Sequence, residues 1–269
     1  MDLKLKDKVV VVTGGSAGIG LETSRLFAEE GARVLLCSRR EDVLDRAATD
    51  IMETTRASVG TLSVDVTKLE DLDHLVAHVK EDYGRIDVLV NNAGTGTYKP
   101  FLEVTDEELQ HGMAINFFAQ FRLIQRFTPM MIAQRYGVVI NVAGETGIRV
   151  IPPPFRSSCT GPAKSAEIRL SKVLASELGE HNIRVNCVVP GLVYTDERFG
   201  KWEREIAKDE LDQEAARATR AEWGRNIARP GHEWGTTREL ANLIVFAASD
   251  RSSYVNGAVL VADGAEDKS

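Results

Sequence analysis

TGGSAGIG, residues 13–20, follows the β-branched run KVVVVT (8–13) and opens a helical pattern that reaches residue 30. Gly14, Gly18 and Gly20 permit a tight turn and close approach of backbone to a ligand. A helix that starts here presents free N–H groups and a partial positive charge, which suits a phosphate. Ser16 adds a hydroxyl donor. A glycine-rich connection with no ligand is the plain alternative. The strand before the turn and the helix after it favour a dinucleotide pyrophosphate site.

The same alternation continues to the end of the chain. Gly31 reads as the residue just past the first helix. RVLLCS (33–38) reads as strand, 41–56 as helix, TLSVDV (61–66) as strand, 68–83 as helix and RIDVLVNNAG (85–94) as strand and exit. Thr105 with Glu108 forms a capping-box pattern that opens one long helix to residue 134. Residues 137–144 read as strand, 161–180 as helix, 182–191 as strand, 237–249 as helix and 258–263 as a last strand. Strands apolar throughout, each followed by a helix, imply a parallel sheet covered on both faces. The expected architecture is α/β: a Rossmann-type, doubly wound sheet of about seven strands in a single domain spanning 1–269. Its ligand crevice lies at the carboxyl ends of the strands. Residues 195–235 break the alternation and read as a helical lid over that crevice, carrying Trp202 and Trp223.

Composition narrows the partners. A net charge of -7 and a pI near 5.4 argue against a nucleic-acid partner, which requires a basic stripe. No apolar run approaches the roughly 20 residues needed to span a bilayer. The polar start MDLKLKDK does not read as a signal peptide, so the expectation is a soluble cytoplasmic protein. Cys37, Cys159 and Cys187 are too few and too scattered for a disulfide framework or a metal site.

The glycine spacing G-x-x-x-G-x-G, together with NNAG at 91–94, resembles the short-chain dehydrogenase/reductase family over essentially the whole chain. By that resemblance, Gly14, Ser16, Gly18, Ile19 and Gly20 hold the cofactor pyrophosphate. Asp65 and Val66 match the pair at the adenine, and Asn91, Ala93 and Gly94 the fourth-strand motif. Asn116 matches the helix asparagine of the proton relay. Pro190, Gly191, Val193 and Thr195 match the segment beside the nicotinamide. The resemblance also implies a small-molecule substrate and a homo-oligomer, dimer or tetramer, paired through the helices at 106–134 and 161–180.

NAD enzymes of this fold place an acidic residue at the end of the second strand, on the ribose hydroxyl. This chain has Ser38, Arg39 and Arg40 there, which suit the 2′-phosphate of NADP. Both arginines sit at a helix start, where the dipole disfavours cations, which favours a phosphate partner; solvated surface charges offset by Glu41 and Asp42 are the plain alternative. NADP is therefore expected, with NAD as the alternative.

The catalytic segment departs from the family pattern, which is Asn, Ser, Tyr and Lys. Lys164 matches the lysine. The tyrosine falls one helical turn earlier, where this chain has Thr160, and no tyrosine occurs between 137 and 193. The serine falls at Gly144. Asn116 and Lys164 remain, with Thr160 as a hydroxyl that is a far weaker acid than a phenol. Other candidates are Glu145, read as a solvated carboxylate, and Cys159, read as a small buried residue. Tyr98 and Tyr194 lie past neighbouring strand ends, and His181 reads as a loop residue. The prolines at 152–154 stiffen the approach to Thr160. Three readings stay open: an oxidoreductase with an altered centre, a non-redox lyase, isomerase or dehydratase, and a cofactor-binding protein without catalysis.

Overall fold

The computed structural model of the chain describes residues 1–150, 157–196, 200 and 234–265. Its strands are β1 (Val9–Thr13), β2 (Arg33–Ser38), β3 (Val59–Ser63), β4 (Val88–Asn91), β5 (Gly137–Val142), β6 (Ile183–Pro190) and β7 (Val259–Ala262). They pair in parallel in the order β3-β2-β1-β4-β5-β6-β7. The order reverses between β1 and β4, so the crevice of this topology opens past Thr13 and Asn91.

The helices are α1 (Gly18–Glu29), α2 (Glu41–Thr55), α3 (Leu69–His78), α4 (Asp106–Met113), α5 (Ala119–Gln134), α6 (Thr160–Leu178) and α7 (Thr237–Ala248). The two-residue period of a strand sends alternate side chains to opposite faces. Val10 and Val12 of β1 pack with Phe27 of α1, Leu44 of α2 and Ile244 of α7. Val11 between them packs with Leu75 of α3, Leu123 of α5 and Ala175 of α6. Each such side chain, buried outright, contributes about 1.5–3 kcal/mol. A sheet with two buried faces therefore reads as unbroken valine and leucine.

Turn chemistry sets the boundaries. Gly31, at φ +79°, ends α1 with Gly31 N–H donating to Ala28 O at 3.0 Å and Ala32 N–H to Phe27 O at 3.0 Å. Thr105 and Glu108 do form a capping box at the start of α4, and Thr236 with Glu239 forms another at α7.

One expectation is corrected and another gains a detail. The third strand covers Val59–Ser63 rather than 61–66. It ends because the Asp65 carboxylate accepts from Thr67 N–H at 3.0 Å and Thr67 Oγ1 at 2.7 Å, which closes a turn. The helix expected from 105 to 134 runs from Asp106 to Gln134 and carries a π-turn at Ala114–Phe118, in which Asn116 sits. The lid expected at 195–235 lies outside the described residues except for 195, 196, 200, 234 and 235. Trp202, Trp223 and the prolines at 152–154 also lie outside them. No helix among the described residues is long and apolar enough to cross a membrane.

Candidate active site

The turn after β1 is built by close contact. Gly14 and Gly18 have φ of +64° and +55°. A methyl group at Gly14 would stand 2.9 Å from Nδ2 of Asn92. One at Gly20 would collide with Gly14 O and the same Asn92 amide. Asn92 donates to Thr13 O at 3.1 Å and Gly14 O at 3.2 Å. Thr13 Oγ1 in turn accepts from Asn92 N–H at 3.0 Å and Ala93 N–H at 3.1 Å. The glycine turn and NNAG are thus stapled together across the switch point. The glycines of both motifs mark this region, yet neither Thr13 nor Asn92 was singled out from the sequence.

The other expected cofactor residues gather around this turn. Ser16 is buried and donates to Ser38 Oγ at 2.9 Å. Ile19 is half-buried against the core. Arg39 and Arg40 are exposed just past β2. Burial opposes ionisation of Asp65. The Thr67 hydrogen bonds and the charges of Arg39 and Lys68 outweigh it and hold the carboxyl below its usual range. Val66 is buried beside it.

At the far side of the crevice, Gly191 follows Pro190, and a methyl group there would stand 2.6 Å from Cβ of Asp263. Val193 pairs with Gly235. Thr195 reaches back over the glycine turn, its Cγ2 3.1 Å from where a Gly18 methyl group would lie.

Beyond β4 and β5 lies the expected catalytic segment. Asn91 donates to Asn141 Oδ1, Asn141 to Ser171 Oγ and Ser171 to Glu167 O, each at 2.9 Å. Asn91 Oδ1 is buried without a partner among the described residues. Asn116 Nδ2 donates to Thr95 O at 2.8 Å and Gly112 O at 2.9 Å, and Asn116 Oδ1 accepts from Thr95 N–H at 3.2 Å. Its side chain therefore fixes the loop after NNAG. A methyl group at Gly94 would stand 2.8 Å from Asn116 Oδ1 and 3.4 Å from Lys164 Nζ. Asn116, Ala93, Gly94 and Lys164 are accordingly neighbours.

Lys164 Nζ donates to Val142 O at 2.8 Å and to Glu167 Oε2 at 2.9 Å. Glu167 was not singled out from the sequence. Its only signal there is a position three residues after Lys164, on the same helix face. Burial pushes its carboxyl up to about 7, against the opposing pull of Lys164.

Thr160 is 5% exposed and its Oγ1 accepts from Thr97 N–H at 3.2 Å. Gly144 is open: a methyl group there meets nothing nearer than Thr146 Oγ1 at 3.9 Å. The reading of Glu145 as solvated is corrected. It is 3% exposed and its Oε2 pairs with Arg149 Nη2 at 2.6 Å. The short turn at Glu145–Gly147 lays it against the fold rather than into water. Cys159 is buried, and its sulfur would lie 3.6 Å from a methyl group at Gly112 of α4. Tyr98 is half-buried and Tyr194 exposed. His181 sits in the turn before β6, at the opposite end of the sheet from the crevice.

The described geometry is thus a glycine turn with buried Asn116 and Lys164 nearby at one end of a parallel sheet, and it has counterparts among known proteins. Residues 8–205 match the short chain dehydrogenase family. The 3-oxoacyl-(acyl-carrier-protein) reductase FabG of Chlamydia muridarum is 34% identical over 264 residues, covering 98% of this chain and 99% of that protein. An NAD-dependent glycerol dehydrogenase of Listeria innocua is 30% identical over 263 residues, covering 98% and 95%. The crystal structure of L-sorbose reductase from Gluconobacter frateurii, complexed with NADPH and L-sorbose, superposes with a TM-score of 0.89 at 33% identity over the full length of both chains. In fold, in motif order and over nearly its entire length, the chain belongs to the short chain dehydrogenase family.

Proposed function

We propose that the protein is an NADP(H)-dependent oxidoreductase acting between a small-molecule carbonyl and its alcohol, with Thr160 and Gly144 in place of the usual tyrosine and serine. The observation that carries this reading is the meeting of the glycine turn with Asn116 and Lys164 at one crevice. The residues present fit a nicotinamide dinucleotide. Gly14 and Gly20 let the turn close against Asn92, and Ser16 and the start of α1 offer donors where a pyrophosphate would approach. Arg39 and Arg40 would hold a 2′-phosphate, with Asp65 and Val66 near the adenine. Asn91, Ala93, Gly94 and Lys164 would flank the nicotinamide ribose from one side, and Pro190, Gly191, Val193 and Thr195 from the other. When bound, the cofactor supplies or accepts a hydride. L-Sorbose reductase, complexed with NADPH, supports the choice of NADP, and the NAD-dependent glycerol dehydrogenase keeps NAD as the alternative.

In this reading Asn116 holds the loop after NNAG, Lys164 faces the ribose and the reacting oxygen, and Thr160 orients the substrate oxygen or a water. Pairing with a second copy through α5 and α6 is part of the proposal. Phe121 and Val173 are exposed on those helices and supply an apolar contact. The buried Glu145 beside the open Gly144 favours a second reading, a lyase, isomerase or dehydratase on the same scaffold.

The test is a fluorescence titration with NADPH and NADH, followed by a screen of carbonyls and alcohols. Tight NADPH binding, weak NADH binding and cofactor-linked turnover are expected. Turnover that leaves the nicotinamide redox state unchanged and is abolished by Glu145→Gln would establish the second reading instead. Binding of neither cofactor would end the oxidoreductase reading.

A further inference from the structure

We propose that Glu167 positions and recharges Lys164, so that here the lysine, backed by a buried carboxyl, carries the proton that a tyrosine phenol carries in the family pattern. The inference rests on the oxidoreductase reading.

Three observations meet at this pair. First, Lys164 Nζ has two partners, Val142 O at 2.8 Å and Glu167 Oε2 at 2.9 Å, and borders the space above the exposed Gly94. An ammonium carries three hydrogens, so one remains for that space. Second, the residue one turn before Lys164 is Thr160, whose hydroxyl is a poor acid and already accepts from Thr97 N–H. Third, Glu167 has no exposed surface and its Oε1 has no partner among the described residues. A carboxylate stranded this way is costly, whereas a protonated carboxyl is far less so. Burial accordingly raises this carboxyl to about 7, so it takes and releases a proton near neutrality.

The groups that face Glu167 are few. Lys164 is on its own helix, Val142 O comes from β5, and Cys187 comes from β6, where burial and the Glu167 charge push the thiol up to about 12. Ser171 donates to the Glu167 main-chain oxygen and not to its carboxyl. Among the described residues the carboxyl answers to Lys164 alone.

The proton count closes. The resting pair holds an ammonium and a carboxylic acid. With the bound cofactor supplying the hydride for the carbonyl carbon, the carbonyl oxygen would take one proton from Lys164 Nζ. The amine then takes the proton of Glu167 across the 2.9 Å contact, leaving ammonium and carboxylate. One solvent proton restores the acid. In the alcohol-oxidising direction each transfer reverses.

The first experiment needs neither substrate nor cofactor. Protein labelled with ¹³C at the glutamate carboxyls is titrated by NMR, with Glu167→Gln as the assignment. One carboxyl titrating near pH 7, absent in Glu167→Gln and shifted in Lys164→Met, is expected. No carboxyl titrating within about a unit of pH 7 would overturn the proposal. The second experiment follows carbonyl reduction. Glu167→Gln is expected to lower kcat by about 10–100-fold, to leave KM and NADPH affinity within about threefold, and to remove the ionisation near pH 7 from the kcat profile. Glu167→Asp, which keeps the acid, restores the ionisation and part of kcat. An unchanged pH profile in Glu167→Gln, or equal losses of NADPH affinity in both variants, would make Glu167 merely structural. If the wild-type protein binds no NADPH, the oxidoreductase reading fails and the recharging role fails with it. The NMR titration then still reports whether the Lys164–Glu167 couple exists.

Discussion

Thr195 lies directly over Gly18: a methyl group on Gly18 would stand 3.1 Å from Cγ2 of Thr195. These residues are far apart in the chain, and the sheet brings the exits of β1 and β6 together. Gly18 also has φ of +55°, a conformation that strains any L side chain. Gly18→Ala is expected to weaken NADPH binding by at least about tenfold and to cost about 1–2 kcal/mol of stability. Fluorescence titration and denaturant unfolding read the two effects separately.

Arg39 and Arg40 stand exposed past β2, and the Arg39 charge reaches the Asp65 carboxylate. A charge-assisted hydrogen bond contributes about 1.5–3 kcal/mol, or roughly 10–100-fold in affinity. Arg39→Ala is expected to raise the Kd for NADPH by that factor and to leave the Kd for NADH unchanged. A parallel rise in both constants would show that the arginine does not read the 2′-phosphate.

On the proposed reading Thr160 and Gly144 stand where the family has a phenol and a hydroxyl, and Gly144 has room for a side chain. The double variant Thr160→Tyr, Gly144→Ser is expected to raise the reduction rate of simple ketones by about tenfold or more, because general acid catalysis is worth roughly 10²–10⁴-fold. Cofactor oxidation measures it. The new ring must displace Thr97 N–H from its contact with Thr160. A variant that binds NADPH as tightly as the wild type but is no faster would show that another group already supplies the proton.

The Glu167 carboxyl ionises near 4.5 when unfolded and near 7 when folded. Between these values the folded state binds one more proton than the unfolded state. Its stabilising contribution is therefore fully present below about pH 4.5 and is lost as pH rises through 7. The stability of the wild type relative to Glu167→Gln is expected to fall by about 3 kcal/mol across that window. Urea unfolding at a series of pH values gives the slope, and a difference that rises with pH would refute the assignment.

Arg184, in β6, ties the end of α7 and the segment after it. It donates to the carbonyls of Ala247 at 3.0 Å, Ala248 at 3.4 Å, Ser249 at 2.9 Å and Val255 at 3.0 Å. Arg184→Met leaves these acceptors short of a donor and is expected to cost about 2–4 kcal/mol. NADPH affinity, measured below the lowered Tm, is expected to be unchanged because this cluster lies away from the crevice.

The sequence alone determined the architecture. Valine-rich strands such as 8–13 and 137–142 are buried on both faces, so local composition already implies a covered parallel sheet. The φ demand of Gly14 and Gly18 is likewise a property of one residue and its neighbours, and so is the bare fact that 160 is threonine and 144 is glycine. The tertiary structure decided what long-range contact decides. Thr13 and Asn92 meet across 79 residues of chain, and the π-turn that carries Asn116 interrupts a pattern that reads as plain helix. Glu145 and Glu167 are ordinary surface types by composition. Whether either is dry depends on how the neighbouring elements pack against it, and no local periodicity reports that. For Glu167 the difference is chemical: in water it is a routine carboxylate, and sealed against Lys164 it becomes a group that exchanges protons near neutral pH.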